Sequence, residues 1–169
     1  MGVGWKYDYE PLLAPGRHAM TLDQIEALVV KRFPGNRRRL TLFQRLEQFV
    51  QDVLRLEIPC EVWLDGSLLT QKADPDDLDV SVIVDKEVVD ALCTEHYATV
   101  KMITEQREDG VDAFLFVRYP MHDPLYKNEL MDPGHYWGEC YGLEHSKQWC
   151  KGYVVMRLRE THVGLRICS

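Results

Sequence analysis

Apolar residues recur along this chain with two different periods. From Thr21 to about residue 57 they step by three or four. The first set is Leu22, Ile25, Leu28, Val29 and Phe33 in TLDQIEALVVKRF; the second is Leu42, Leu46, Phe49, Val53 and Leu56 in RRRLTLFQRLEQFVQDVLRLE. Each set forms one stripe of an α-helix, and the opposite face is charged. Thr21 and Gln24 have capping-box spacing, and Pro34 with Gly35 ends the first predicted helix. After Pro59 the period shortens to two. β-Branched runs predict strands at 61–64, 77–84, 111–117 and 152–158, and KEVVDALCTEHY predicts a helix between the second and third. A short helix is predicted around Tyr136 to Tyr141.

These elements predict one α/β domain, a small mixed sheet with N-terminal helices packed against it. Residues 1–20, with Pro11, Pro15 and Gly16, read as an arm lying on the surface or across the core edge. The two helices occupy 21–57, the core strands 61–118, and a C-terminal extension, 119–169, ends on the last strand. No internal repeat or low-complexity tract interrupts this layout.

Composition changes the picture in three ways. A hydrophobic content of 46% in 169 residues is enough for a sizeable core. The net charge of −7 argues against a general nucleic-acid coat and favours counter-cations, metal ions above all. Cys60, Cys93, Cys140, Cys150 and Cys168 are odd in number and widely spaced, which fits a reducing, cytoplasmic setting. Cys140, His145 and Cys150 lack zinc-site spacing. The start has no basic region followed by an apolar core, and no run approaches the ~18 apolar residues of a bilayer span, so neither export nor membrane insertion is expected. Arg37, Arg38 and Arg39 open the second helix, where cations oppose its dipole; a solvated turn is the expectation, ahead of a phosphate-binding role. His122, His135 and His145 read as ordinary histidines. Tyr136, Trp137 and Tyr141 read as an aromatic core patch rather than a base-stacking platform, and Lys147 and Lys151 are minor candidates for phosphate contact.

The candidate chemistry lies in WLDGSLLTQKADPDDLDVSVIVD. Alternation along the strand puts Leu78, Val80, Val82 and Val84 on one face and Asp77, Asp79 and Ser81 on the other. Two carboxylates then stand side by side, about 7 Å apart at their Cα atoms. They repel each other unless something positive lies between them, and a divalent cation such as Mg²⁺ is the economical solution. Upstream, Gly66 permits close backbone approach, and Ser67 offers a hydroxyl and an amide where a phosphate could sit. Lys72 could add a point charge to a triphosphate. Asp112 interrupts another apolar strand, VDAFLFV, where an isolated carboxylate would be costly, and its position makes sense if it faces the first pair.

This arrangement resembles the nucleotidyltransferase superfamily typified by DNA polymerase beta. The signature is an apolar residue, Gly, Gly or Ser, nine to thirteen residues, then Asp, an apolar residue, and Asp or Glu. Here Leu64 and Asp65 lead into Gly66 and Ser67, and nine residues later come Asp77, Leu78 and Asp79. More loosely, GNRRRL, Asp65 to Val80 and Lys151 to Leu158 are similar to small bacterial and phage proteins with nucleotidyltransferase-like cores. The resemblance implies two Mg²⁺ ions held by Asp77, Asp79 and Asp112, and a nucleoside triphosphate such as ATP held at Gly66, Ser67 and Lys72. It also implies transfer of the nucleotidyl group to a hydroxyl of a protein, a tRNA or a small molecule, with release of pyrophosphate. The acidic surface disfavours extended nucleic acid as acceptor, and a protein partner is compatible, as in toxin–antitoxin or phage-defence settings. The alternative is a catalytically silent nucleotide- or protein-binding module of antitoxin or immunity type. A metal-dependent nuclease ranks last, because it leaves the Gly-Ser turn unexplained.

Overall fold

The structure, a computed structural model, describes residues 9–105, 111–126 and 152–159. Five strands form one mixed sheet in the order β1–β5–β2–β3–β4. They are β1 (Gly16–Ala19), β2 (Cys60–Asp65), β3 (Leu78–Asp85), β4 (Val111–Arg118) and β5 (Gly152–Leu158). β1 pairs parallel to β5 and β3 parallel to β4, while β2 is antiparallel to both of its neighbours. The architecture is therefore α/β, and β2 to β5 lie within a residue or two of the four predicted strands. Among the described residues no helix is long and apolar enough to cross a membrane.

The first helix, α1 (Leu22–Glu26), starts at the predicted capping box: Thr21 Oγ1 accepts from the Gln24 N–H at 3.3 Å, and Gln24 Oε1 accepts from the Thr21 N–H at 2.8 Å. It continues as a π-helical turn through Lys31. The second, α2 (Arg37–Arg55), is capped by Asn36, whose Oδ1 accepts from the Arg39 N–H at 3.1 Å. Both lay their apolar stripes on one face of the sheet. Ile25, Val29, Leu42, Leu46, Phe49 and Val53 pack there on Val62, Leu64, Val80, Val82, Val154 and Met156. At ~25 cal/mol per Å², burial of such side chains is the main force holding helices to sheet.

One expectation is refined and one corrected. Of the surface and the core edge, the arm takes the edge, and it does so as a strand: residues 16–19 form β1, in register with Gly152 to Val155. Before it, the Leu12 N–H donates to Leu69 O and the Gln71 N–H to Glu10 O, both at 2.8 Å, so the arm also clasps the chain just after β2. The single helix predicted from KEVVDALCTEHY is two, α3 (Lys86–Asp90) and α4 (Thr94–Glu105), parted by turns in which Ala91 and Leu92 donate to Val88 and Val89. The predicted helix at 136–141 lies outside the described residues, as do Cys140, His145, Cys150 and Cys168 and the candidates His135, Tyr136, Trp137, Tyr141, Lys147 and Lys151. Cys60 is buried and Cys93 exposed, and both are free thiols.

Candidate metal centre

The face of the sheet turned away from α1 and α2 carries the acids. Register puts Asp65, Asp79 and Asp112 in one row across β2, β3 and β4, since Asp65 pairs with Asp79 and Asp79 with Asp112. Directly paired residues point to the same side, so a row of three carboxylates follows from the ladder alone. Asp77 stands just before β3, two positions from Asp79. One carboxylate oxygen from each of Asp77, Asp79 and Asp112 lies within 4.8 Å of the others, with Asp77 and Asp79 half-buried and Asp112 exposed. The three acids singled out in the sequence are thus brought together.

The Gly-Ser turn fits against them. Gly66 has φ +89°, a conformation that side chains rarely adopt, and a Cβ on it would stand 2.3 Å from Asp79 Oδ2. A side chain there would displace the carboxylate. Ser67 begins a short 3-10 turn (Ser67–Leu69), and its Oγ accepts from the Asp76 N–H at 2.9 Å. Lys72 Nζ pairs with the Asp76 carboxylate and sits 5.7 Å over the Tyr9 ring. Both side chains therefore brace the loop that leads into Asp77.

The donor set suits a hard divalent cation. Opposed oxygens around Mg²⁺ are separated by about 4.2 Å and around Ca²⁺ by about 4.8 Å, so carboxylates this close can share one ion after small rotations. Zinc would favour the nitrogen and sulfur donors that this cluster lacks.

Three participants escaped the sequence reading. Asp65 is buried and lies opposite Asp79, which alternation with Trp63 could have revealed. Arg39, expected in a solvated turn, is fully buried: Nη1 donates to Val29 O at 3.3 Å and Leu68 O at 3.0 Å, and Nη2 to Thr70 O at 2.5 Å and Lys72 O at 2.6 Å. Burial lowers its pKa. Its planar fork satisfies carbonyls of a turn that has no ladder of its own. Glu61, two rows from the acids on the same face, is 4% exposed; Arg17 meets it at 2.6 Å, Arg157 at 3.4 Å and Arg118 at 3.5 Å, and Trp63 Nε1 donates to it at 2.9 Å. His122 is exposed in a turn after β4.

Neither a curated protein nor a solved structure matches the chain. One family model does, across residues 5–157, and the chain therefore belongs to DUF6932, a family of unknown function.

Proposed function

We propose that the chain transfers a nucleotidyl group from a nucleoside triphosphate to an acceptor hydroxyl, with Asp77, Asp79 and Asp112 holding the divalent cations the reaction needs. The observation that carries this reading is the convergence of those carboxylates within 4.8 Å, with Gly66 fitted beneath Asp79. Bound cations would neutralise the triphosphate and the charge that develops on its leaving pyrophosphate. The chain's residues do the rest. Gly66 lets backbone come close to Asp79, where a side chain would displace the carboxylate from the site. Asp112, the most exposed of the three, is open to an acceptor and can take its hydroxyl proton. The acceptor oxygen bonds to the α-phosphorus as the bond to the bridging oxygen breaks, and pyrophosphate leaves with that electron pair.

Calorimetric titration of each nucleoside triphosphate with Mg²⁺, beside an Asp77→Ala/Asp79→Ala double variant, tests the proposal. Cation-dependent binding that the variant loses, with pyrophosphate release falling on the order of a thousandfold, is the expected result. Absence of binding by the folded wild-type chain would sink it.

A further inference from the structure

Asp77 stands outside the sheet ladder, because β3 begins at Leu78. Its place is set by the loop before it, and side chains at the start of α2 hold that loop. Asn36 Nδ2 donates to Ala73 O at 2.6 Å, and Arg39 takes the carbonyls of Leu68, Thr70 and Lys72. Arg38 reaches furthest along: Nε donates to Pro75 O at 3.0 Å and Nη2 to Asp76 O. Both backbone polar groups of Asp76 are then engaged, the carbonyl by Arg38 and the N–H by Ser67 Oγ at 2.9 Å. The Asp76 carbonyl belongs to the peptide plane that enters Asp77. Pro75, with φ locked by its ring, stiffens the approach.

We propose that Arg38 is a positioning residue for the metal centre: by fixing the Pro75 and Asp76 carbonyls it aims the Asp77 carboxylate at Asp79 and Asp112. This rests on the metal-binding reading above and assigns Arg38 no contact with substrate. Arg38 is half-buried at the molecular surface, unlike the fully buried Arg39, so its loss opens no cavity. Charge alone predicts the opposite of positioning. Removing a cation near an acidic cluster strengthens attraction for a divalent ion, whereas releasing Asp77 weakens binding. The sign of the change separates the two causes.

The test is titration of the full chain with Mn²⁺ alone, following free Mn²⁺ by electron paramagnetic resonance, with thermal melts to verify folding. Loss of an outer partner of a metal ligand typically costs ten- to a hundredfold in affinity, so Arg38→Ala is expected to weaken Mn²⁺ binding by about that factor. Arg38→Lys keeps the charge but has no fork to span two carbonyls, and falls between; it decides the matter if the alanine variant does not fold. Arg37→Ala removes an exposed charge one residue away and stays within about twofold of wild type, since exposed charges are screened. Binding by folded Arg38→Ala as tight as wild type, or tighter, overturns the inference while leaving the metal centre intact. Wild-type binding no better than that of Asp79→Asn removes both.

Discussion

Glu61 and the pair Asp77 and Asp112 lie on one face of one sheet, and the described residues around them differ in charge. Around Glu61 the counter-charge is built in: Arg17, Arg118 and Arg157 converge from β1, β4 and β5, and Trp63 donates from β2. Around Asp77 and Asp112 no described lysine or arginine forms an ion pair. A buried carboxylate with arginines around it is a closed structural device, because its partners satisfy it within the fold. At Asp77 and Asp112 the proposed metal-binding reading gives that place to a cation from solution. On that reading Glu61 serves the fold, and Asp77 and Asp112 are available for chemistry.

Breaking the closed end should cost most. Glu61→Ala leaves three guanidinium groups crowded without their carboxylate; loss of one partner from a fully buried pair costs about 3–5 kcal/mol, and the partial exposure of the arginines reduces this to about 2 kcal/mol. Chemical denaturation should show that loss, while Mn²⁺ affinity stays within about threefold, because the aspartates lie two rows away and solvent screens the change. A large drop in affinity with unchanged stability would reverse the two assignments.

The helix-covered face of the same sheet supplies an effect that is smaller per pH unit and carries a definite pH signature. Burial pushes the Cys60 thiol up to about 12, with the neighbouring Glu61 charge adding to the shift. Below pH of about 9 both folded and unfolded chains keep the thiol protonated, and its contribution is fully present. As pH rises from there toward 12 only the unfolded chain ionises, and about 1.4 kcal/mol is lost per pH unit. Unfolding free energies of wild type and Cys60→Ala should therefore diverge in slope across that window and run parallel below it. A thiol reagent should modify exposed Cys93 promptly and Cys60 only on unfolding.

The smallest effect belongs to the open end. Without cations, Asp112→Asn should raise stability by about 0.5 kcal/mol, since it relieves repulsion with Asp77 and Asp79 at a partly solvated site. With Mg²⁺ or Mn²⁺ the ranking inverts, because the wild-type chain gains the linkage stabilisation that the variant largely forfeits. Thermal melts with and without the ion would show the crossover, and a variant destabilised under both conditions would contradict it.

Much of the fold is legible in the sequence because the elements carry their own periods. Val80, Val82 and Val84 alternate with Asp79 and Ser81, so β3 and its two faces follow from residue order. β1 carries no such signal. Gly16, Arg17, His18 and Ala19 have no apolar alternation, and they become a strand because β5 presents a free edge. The break between α3 and α4 was hidden for a related reason: Val88, Val89 and Leu92 remain helix-like in spacing across a turn set by the return to β4.

The site divides in the same way. Asp77, Asp79 and Asp112, with the glycine ahead of them, can be picked out from residue order, because acids inside apolar strands are costly without a purpose. Their convergence depends on β3 and β4 running parallel in the register that pairs Asp79 with Asp112, which no local pattern specifies. Arg37, Arg38 and Arg39 are indistinguishable as three letters in a row. A helix turns about 100° per residue, so packing of α2 exposes the first, half-buries the second over Pro75 and Asp76, and buries the third under the Gly-Ser turn. Periodicity is a property of neighbours in the chain and determines elements and faces. Which side chain meets which carbonyl across more than thirty residues is decided only when helix and sheet dock.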